Sequence, residues 1–387
     1  MDGKSLMPFF KSTIFFIKLI FIPIKVDFVL ISLNHFNRAN GKNSFMASIQ
    51  ADLNKANTSF LYLEDTDLKG AYNKFPREES AVGFEFITFC LIVLKKIGIT
   101  HNSSIRVLKV VFFRNLEYKY LINMAGYTLG FFSTMFPTRL HFELQHGLIF
   151  NNREWWMLNE WNKHQNCGIL LHGKGFREVL LSNKDYNLKD NSKLLIAGIN
   201  QEKILYYPDN LSRNIIFTEQ ITIDNTKLEI NEYIEFFHSI LDRSAEFIKS
   251  NNINIFVKAH PRIPNQLAHW YCEFDFIKDF NDLKKLESNA LLAHLTFNSS
   301  SVFEFSLKGI PSILIDGLSR RDPAFLFDVY KMPSRDLVVN SDNLLQDRVS
   351  FLFDDYFFKR KSLELKEWAD RFNEKPNLNL ISEIEAS

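Results

Sequence analysis

Short apolar runs alternate with longer amphipathic segments in the amino-terminal part of the chain. Runs of this length, bounded by polar or turn residues, are typical of strands that are buried on both faces of a sheet. We predict such strands at 26–33, 59–65, 106–113 and 139–144. The segments 85–97 and 117–132 lie between them and are predicted as helices. This order indicates parallel strands joined by crossover helices.

The pattern begins again after a polar and aromatic stretch at 155–166, which does not read as a strand. Apolar residues recur at close to 3.6-residue spacing in 231–250, which predicts an amphipathic helix, and 359–372 is predicted as a closing helix. We predict further strands at 167–173, 193–199, 214–220, 253–261, 291–297 and 311–316. A second α/β domain therefore follows the first.

The chain has 387 residues, which is more than one hydrophobic core usually supports. The predicted fold class is α/β, with two Rossmann-like doubly wound domains that are expected to face each other across a cleft. The predicted divisions are an amphipathic amino-terminal segment at 1–25, an N-terminal domain at 26–154, a C-terminal domain at 167–355, and a closing helix and tail at 356–387. In such sheets ligands bind beyond the carboxyl ends of the strands, so the residues that follow strands are the candidates for chemistry.

Four lysines of the amino-terminal segment, Lys4, Lys11, Lys18 and Lys25, stand seven residues apart among Phe, Ile and Leu. On a helix they would form one narrow stripe on an otherwise apolar cylinder, which suits a helix lying in a membrane surface. A central lysine disfavours a membrane span, and Pro23 would end or bend the helix. A helix packed on its own domain, or a span with snorkelling lysines, would have the same pattern, so the sequence leaves these interpretations open.

The charge of the whole chain is nearly balanced, with 46 Lys and Arg against 45 Asp and Glu. No global basic field and no zinc-finger spacing favours a nucleic-acid partner. Three cysteines, Cys90, Cys167 and Cys272, lie far apart, which fits a reducing compartment and a cytoplasmic location. The segment HGKGF at 172–176 lacks the spacing of a P-loop and no G-x-G-x-x-G occurs, so neither an ATPase nor a nicotinamide enzyme is favoured.

Basic residues surround the turn that follows the strand at 253–261. Lys258, His260 and Arg262 are expected at one edge of the sheet, because Pro261 ends the strand and turns the chain. Arginine can bind two phosphate oxygens at once, and a histidine N–H adds a further hydrogen bond. The cluster therefore suits a diphosphate, although a surface turn with a capped histidine would have the same sequence.

Three serines open the short helix predicted after the strand at 291–297: Ser299, Ser300 and Ser301. Their hydroxyls, together with the free N–H groups of a helix start, would form an anion site. If Ser301 is the N-cap, Glu304 stands at the third helical position and completes a capping box, which is a structural role.

Three segments taken together resemble a known family: ELQHG at 143–147, VKAHPR at 257–262 and NSSSVFEFSLKGIPSIL at 298–314. Their order and spacing are similar to those of the GT-B glycosyltransferases of bacterial surface (capsular) polysaccharide synthesis. This broad group includes the CDP-glycerol glycerophosphotransferases of teichoic acid synthesis. The resemblance extends from about Phe142 to Asp316.

The resemblance implies that His146, His260, the three serines and Glu304 line a cleft for donor and acceptor. It also implies a function, the transfer of a sugar from a nucleotide-diphosphate or nucleotide-monophosphate donor to a surface polysaccharide or a lipid-linked acceptor. The teichoic acid enzymes differ from this sequence at Gln145, Phe297 and Asn298, which argues against a CDP-glycerol donor.

Sugar transfer needs a base for the acceptor hydroxyl and cationic or dipolar groups for the departing phosphate. His146 follows a predicted strand and has a suitable unperturbed pKa, and Glu143 is the rival base. Neither a metal nor another cofactor is expected, and Asp65 in LEDTD is not a predicted ligand because it lies in the acceptor domain. The residues predicted to hold the nucleotide and its phosphates are Lys258, His260, Arg262, Ser299, Ser300, Ser301 and Glu304.

Two other functions stay open. A CDP-glycerol-type glycerophosphotransferase would use the same cleft for phosphoryl transfer, and a non-catalytic nucleotide-sugar-binding protein would have the same fold. The expected partners are a nucleotide-activated sugar donor and a carbohydrate or lipid-linked acceptor, with the protein at the cytoplasmic face of the inner membrane if its amino-terminal segment binds there.

Overall fold

The chain divides into two compact units, each built around its own parallel sheet, in agreement with the predicted pair of doubly wound domains. The first unit is Met1–Asn200 with Glu374–Ser387, and the second is Gln201–Asn373. A computed structural model describes residues 3–33, 41, 43–65, 77–124, 126–145, 166–182, 193–199, 206–222, 225–260, 263, 267, 270, 273–318 and 323–387.

Parallel strands form the sheet of the first unit. They are β2 (Phe28–Leu33), β3 (Phe60–Asp65), β4 (Val82–Gly83), β6 (Tyr120–Asn123), β7 (Leu140–Leu144), β8 (Cys167–Leu171) and β9 (Lys193–Ile196). Their order across the sheet is β4-β3-β2-β6-β7-β8-β9. A separate short pair joins β1 (Ile24–Lys25) to β5 (Leu116–Glu117).

Helices cover both faces of this sheet. They are α1 (Gly3–Phe21), α2 (Ser44–Lys55), α3 (Glu85–Lys96), α4 (His101–Leu108), α5 (Gly126–Met135), α6 (Lys174–Ser182) and, at the end of the chain, α13 (Leu380–Ala386). α2 and α13 share a core with Ile122 of β6, whereas α1, α3, α4 and α5 share the opposite core with Leu121. Consecutive residues of β6 are thus buried on opposite faces, which explains why its sequence shows no alternation.

Two predictions in this unit are wrong. The segment 106–113, predicted as a strand, forms the end of α4 and a π-helical turn at Lys109–Phe113. Leu108 and Phe113 are buried while Val110 and Val111 are exposed, so a one-sided core contact outweighs the strand preference of valine and phenylalanine. The segment 117–132, predicted as one helix, contains the buried strand β6 before α5 begins.

The sheet of the second unit is also parallel. Its strands are β11 (Asn214–Thr218), β12 (Asn254–Lys258), β13 (Ile277–Asp279), β15 (Ala293–Thr296), β16 (Ser312–Ile315) and β17 (Val338–Val339). Their order is β13-β12-β11-β15-β16-β17. A short parallel pair joins β10 (Tyr207–Pro208) to β14 (Ala290–Leu291).

The helices of the second unit are α7 (Lys227–Ser250), α8 (Phe280–Leu283), α9 (Ser301–Leu307), α10 (Ala324–Asp328), α11 (Leu345–Phe353) and α12 (Asp355–Asp370), with a 3₁₀ turn at Arg335–Leu337. α7 begins with a capping box between Thr226 and Glu229 and buries Tyr233 and Phe237 in the main core. α9 is followed by Gly309 at φ 70°, a left-handed conformation that suits glycine after a helix.

The strand pairing differs from the predicted domain division. The sequence predicts that 167–173 and 193–199 open the C-terminal domain, but β8 pairs with β7 and β9 pairs with β8 in the first sheet. The predicted closing segment 356–387 is also divided, since α12 belongs to the second unit and α13 to the first. A buried apolar run identifies a strand but does not indicate which sheet the strand joins.

Both sheets reverse their strand order at one point. The described strands of the second sheet, numbered along the chain, run 3-2-1-4-5-6, the order of doubly wound dinucleotide-binding domains. The reversal lies between β11 and β15 in the second sheet and between β2 and β6 in the first. Ligands of open α/β sheets bind above such reversals.

The amino-terminal helix α1 packs on the first unit. Phe16 and Leu19 are buried in the core that α3, α4 and α5 also share. α1 ends at Phe21, two residues before Pro23. Among the described helices, none combines the length and the apolar character needed to cross a membrane.

Candidate functional site

The strand order of the second sheet reverses between β11 and β15, which is where doubly wound sheets open a crevice above their strand ends. Phe217 of β11 stacks on Phe237 of α7, with ring centres 4.1 Å apart, whereas Ile216 packs with Phe305 of α9 on the other face. The helices that follow β11 and β15 therefore leave on opposite faces, which opens space above the strand ends. We call this space the β11–β15 crevice.

Amide and hydroxyl groups tie the two strand ends together. The Nε2 atom of Gln220 donates to Oδ1 of Asn298 at 2.9 Å, and the backbone N–H of Asn298 donates to Oε1 of Gln220 at 3.1 Å. Thr296 donates its hydroxyl to the carbonyl of Thr218 at 3.2 Å. The crevice therefore has a polar base that is cross-linked across the strand reversal. We did not select these residues from the sequence, although all stand at or just after predicted strands.

Glu219 holds the turn after β12 next to β11. Its side chain has no exposed surface. Oε1 accepts the backbone N–H of Ile221, and Oε2 accepts the backbone N–H of His260 at 3.1 Å. A buried carboxyl group that accepts backbone N–H groups is stabilised by them. Glu219 thus fixes where the chain leaves β12, a contact between distant residues that the sequence could not reveal.

Two predicted site residues, Lys258 and Glu304, come together. Nζ of Lys258 lies 3.8 Å from Oε2 of Glu304, and the side chains are 38% and 57% exposed. The same Nζ lies 5.9 Å from the ring centres of Phe280 and Phe305. An exposed ion pair of this kind contributes little stability, so an anionic ligand can compete for the lysine.

The three serines do not cap α9 as predicted. The helix begins at Ser301, its N-cap is Ser300, and the cap side chain makes no capping hydrogen bond. Glu304 is therefore past the third helical position, and its carboxylate faces Lys258. Ser299 instead accepts the backbone N–H of Ser301 at 3.2 Å and its hydroxyl at 2.9 Å.

A buried histidine contacts the hydroxyl of Ser301. His294 lies in β15 with no exposed surface and stacks on Phe305, with ring centres 4.2 Å apart. Its Nε2 lies 3.2 Å from Oγ of Ser301 and 3.0 Å from Oγ1 of Thr218, and its Nδ1 lies 3.1 Å from Oγ of Ser312. Burial, with the charge of Lys258, holds the pKa of His294 well below its usual value. The ring is therefore neutral and orients hydroxyl groups.

The basic turn is described only in part. His260 is partly buried and its backbone is fixed by Glu219. Pro261 and Arg262 lie outside the described residues. β12 and β15 flank β11, so His260 and the serines follow strands on either side of β11.

In the first unit the corresponding edge carries Gln145 and His172. The side chain of Gln145 is buried and accepts the backbone N–H of His172 at 3.0 Å. His146, the predicted base, lies outside the described residues. The rival base Glu143 lies in β7 with no exposed surface. Asp65 ends β3, and its side chain is outside the description.

His172 follows β8 directly and is 6% exposed. Its ring stacks on Phe45 at 5.6 Å, with an angle of 14° between the planes, and meets the edge of Phe176. Burial lowers the pKa of His172 from 6.5 to about 4. The sequence carries one signal for this residue, a histidine at the end of a predicted strand, whereas the spacing of HGKGF bears only on a phosphate loop.

Comparisons with known proteins agree with the two-unit architecture. The UDP-GlcNAc 2-epimerase of Methanocaldococcus jannaschii, solved with UDP-GlcNAc and UDP, aligns over 93% of this chain and 99% of its own, with 12% identity and a TM-score of 0.53. A mutant of S. aureus TarM, solved with fondaparinux, alpha-GlcNAc-glycerol and UDP, aligns over 93% and 99%, with 10% identity and a TM-score of 0.50. The chain has the GT-B fold.

The wall teichoic acid polymerase TagF aligns over 98% of this chain and 96% of its own, with 12% identity and a TM-score of 0.48, so the GT-B assignment rests on the other two. No family model and no curated protein matches the sequence. Identities this low establish the fold and not the activity. Among the described residues, no group of three or more His, Cys, Asp or Glu side chains is arranged to hold a metal ion.

Proposed function

We propose that the chain is a glycosyltransferase that moves a sugar from a nucleotide-activated donor to a surface polysaccharide or a lipid-linked acceptor. The observation that carries the proposal is the β11–β15 crevice. It combines a polar, cross-linked base with an exposed lysine at a doubly wound strand reversal, the place where such sheets bind nucleotides.

In this proposal the second unit holds the donor. Lys258, His260 and Arg262 bind the phosphates, and the serine hydroxyls donate to phosphate oxygens. The carboxylate of Glu304 accepts hydrogen bonds from ribose hydroxyls, as the acidic residue of dinucleotide-binding domains does. These groups stabilise the negative charge that grows on the phosphate when the sugar leaves.

The first unit supplies the base. His146 takes the proton of the acceptor hydroxyl while that oxygen bonds to the anomeric carbon of the sugar. The bond between the anomeric carbon and the phosphate oxygen breaks, and the nucleotide leaves with its electron pair. Proton removal in this way is worth roughly 100-fold to 10,000-fold in rate.

Replacing Lys258 by Met tests the donor site. The variant keeps the apolar stem and removes the charge, so we expect nucleotide affinity to fall by about 10-fold to 100-fold, the loss of one charge-assisted phosphate contact. Titration calorimetry with UDP, CDP, GDP and CMP measures this, after a melting screen identifies the nucleotide that binds. Arg262→Ala should behave similarly.

The control is Lys249→Met. Lys249 is exposed in the last turn of α7, which leads into the opposite end of the same sheet. Equal nucleotide affinity in the Lys258 and Lys249 variants, with both folded, would remove the donor site from the crevice.

Replacing His146 by Ala tests the base. Turnover should fall by at least about 100-fold, while donor affinity stays unchanged because the donor is held by residues of the second unit. Glu143→Gln is the matched comparison. Glu143 has no exposed surface, so its substitution should lower the melting temperature and leave the turnover of the folded enzyme nearly unchanged. Full turnover in His146→Ala would end the proposal for this base.

The same assays separate the alternatives. Transfer of glycerol phosphate from CDP-glycerol, with release of CMP, would identify a glycerophosphotransferase. Nucleotide-sugar binding without transfer would identify a binding protein. One structural neighbour is a UDP-GlcNAc 2-epimerase. Reactions without any acceptor are therefore also analysed for a nucleotide sugar whose configuration at carbon 2 has changed. The proposed location is the cytoplasmic face of the membrane, where the enzyme would meet a lipid-linked acceptor.

A further inference from the structure

The amino-terminal helix α1 is apolar on two sides. One side carries Ser12, Phe16 and Leu19, which are buried against the first unit. The other side is exposed, and its apolar residues follow a spacing of three and four along the helix. They are 45% to 75% exposed: Met7, Phe10, Ile14, Ile17 and Phe21. Packing on its own domain therefore accounts for only part of the apolar surface of α1.

Neighbouring helices continue this apolar surface. The ring of Phe9 lies 6.5 Å from that of Phe10 and 5.7 Å from that of Phe89 on α3, and Phe86 of α3 meets Phe112 of the π-helical turn at 5.2 Å. α3, its end, α4 and the π-helical turn expose Phe89, Ile92, Val93, Ile97, Val107, Val110 and Val111. We call the exposed apolar side chains of α1, α3, α4 and this turn the three-helix face.

The three-helix face is more than scattered surface residues. The described residues include 22 large hydrophobic side chains that are exposed. Of these, 13 belong to this face when Ile22, just after α1, is counted with it. Contiguous exposed apolar surface of this kind is uncommon on a protein that works free in solution and indicates a surface that binds something.

Most charged residues on these helices are basic. Glu85, at the start of α3, is paired with Arg77. The segments 3–25 and 86–114 contain nine Lys and Arg and no Asp or Glu, so the rest of the chain holds 37 of the 46 basic residues and all 45 acidic ones. Lys11 and Lys18 are exposed and stand three or four positions from Ile14, beside the apolar stripe. Lys95, Lys96 and Lys109 lie on the other helices of the face.

We propose that the three-helix face docks on an anionic lipid membrane. Apolar side chains ringed by lysine and arginine match an interface in which acyl chains lie beneath phosphate groups. A second copy of the chain fits poorly, because a self-complementary contact would bring two basic rims together with no acidic residue on these segments to pair with them. The proposal deepens the membrane location proposed above and does not depend on the transfer chemistry.

The docking surface is built before any lipid binds. The hydroxyl of Ser12 donates to the carbonyl of Gly83 at 2.7 Å and accepts the backbone N–H of Phe86 at 3.2 Å. Arg114 and Asn115 donate to the carbonyl of Ile20 at 3.1 Å and 2.8 Å. These contacts fix α1 along its length. α1 therefore lies flat in the membrane surface as part of the domain.

A groove runs along the same helix. It has a volume of about 560 Å³, and α1 contributes Met7, Lys11, Ile14 and Lys18 to it, with residues 77–83 opposite. The α1 wall alternates apolar and cationic groups, whereas the opposite wall carries the carboxylates of Glu78 and Glu79 beside Arg77. The groove therefore borders the three-helix face and is not itself assigned to a lipid phosphate.

Vesicle flotation of the full chain tests the proposal. We expect binding to phosphatidylcholine vesicles that contain phosphatidylglycerol, little binding to phosphatidylcholine alone, and weaker binding at high salt. Replacing both Lys11 and Lys18 by Gln should lower the partition coefficient about 25-fold, because each lysine near an anionic surface is worth about fivefold. Phe10→Ser and Phe89→Ser should each lower it about tenfold.

Matched controls come from the second unit. Lys249→Gln with Lys366→Gln removes two exposed lysines, and Leu211→Ser with Leu363→Ser removes two exposed apolar residues. The controls should bind vesicles like the parent chain. All variants should keep the melting temperature of the parent chain and its transfer to a water-soluble acceptor. Failure of the proposed transfer function is then distinguishable from failure of the proposed membrane contact.

Three results would overturn the proposal. One is equal binding to neutral and anionic vesicles, and another is vesicle binding that is unchanged in the lysine pair or in Phe89→Ser. The third is a lipid-free dimer that Phe10→Ser and Phe89→Ser dissociate, which would make a second copy of the chain the occupant of the face.

Discussion

At the scale of single residues, two histidines are kept neutral by burial: His294 within β15 and His172 directly after β8. His294 contacts three hydroxyl groups through its two ring nitrogens. A neutral imidazole has one donor and one acceptor nitrogen, and the hydroxyls can rotate to suit either tautomer. His294 therefore adds no positive charge beside Lys258 and instead sets the directions of the hydroxyls.

His172 makes the first unit sensitive to acid. Its pKa is about 4 in the folded chain and near 6.5 when unfolded, so the unfolded chain binds more protons between these values. Stability is then full above pH 6.5 and declines as the pH falls toward 4, by up to about 3 kcal/mol for this group. We expect urea unfolding of the first unit to show this loss in the parent chain and a smaller loss in His172→Gln.

His101→Gln provides the control for that titration, since His101 is exposed at the start of α4. Its pH profile should follow that of the parent chain. If His172→Gln also follows the parent profile throughout, burial of His172 contributes nothing to acid sensitivity.

At the scale of elements, substitutions on the two sides of α1 test whether this helix is part of the folded first unit. Phe16 is fully buried, with ring centres 5.8 Å from Phe84 and 5.4 Å from Phe113, whereas Phe10 is 57% exposed. Phe16→Ala should cost about 3 to 5 kcal/mol of unfolding free energy through the cavity that it leaves. Phe10→Ala should cost less than about 0.5 kcal/mol.

Chemical unfolding monitored on the first unit measures both variants of α1. Equal stability of Phe16→Ala and Phe10→Ala would mean that the helix is not part of the folded core. The comparison also checks that vesicle-binding losses in the exposed residue do not arise from unfolding.

Elements with a plain pattern were predictable and elements that depend on distant packing were not. The spacing of Tyr233 and Phe237 correctly predicted α7, because one face of that helix is buried along its whole length. The run 106–113 has strand-forming residues, and only the core around Phe113 decides that it is helical. The serine motif was placed correctly after β15, but Ser300 rather than Ser301 is the cap, because helix ends shift by a residue without changing the pattern.

At the scale of the whole molecule, the two doubly wound sheets were predictable because each apolar run had the length of a buried strand. The assignment of β8 and β9 to the first sheet was not, since strand pairing is a contact between distant residues. The same limit applies to the site. Lys258 and Glu304 could be chosen from the sequence as strand-end and helix-start residues, whereas Glu219, Gln220 and His294 become candidates only when their partners are known.

The return of the tail to the first unit has a consequence for biosynthesis. Leu380, Ile381 and Ile384 of α13 belong to the same buried core as Ile122 of β6, and Asn377 donates its side-chain N–H to the carbonyl of Ile196 at 2.9 Å. These residues are translated after the whole of the second unit. The unit that is translated first therefore cannot complete its core until residues 374–387 have been made, and by then all of Gln201–Asn373 has been translated. Folding during synthesis should finish at the amino-terminal unit, in the reverse of the usual order.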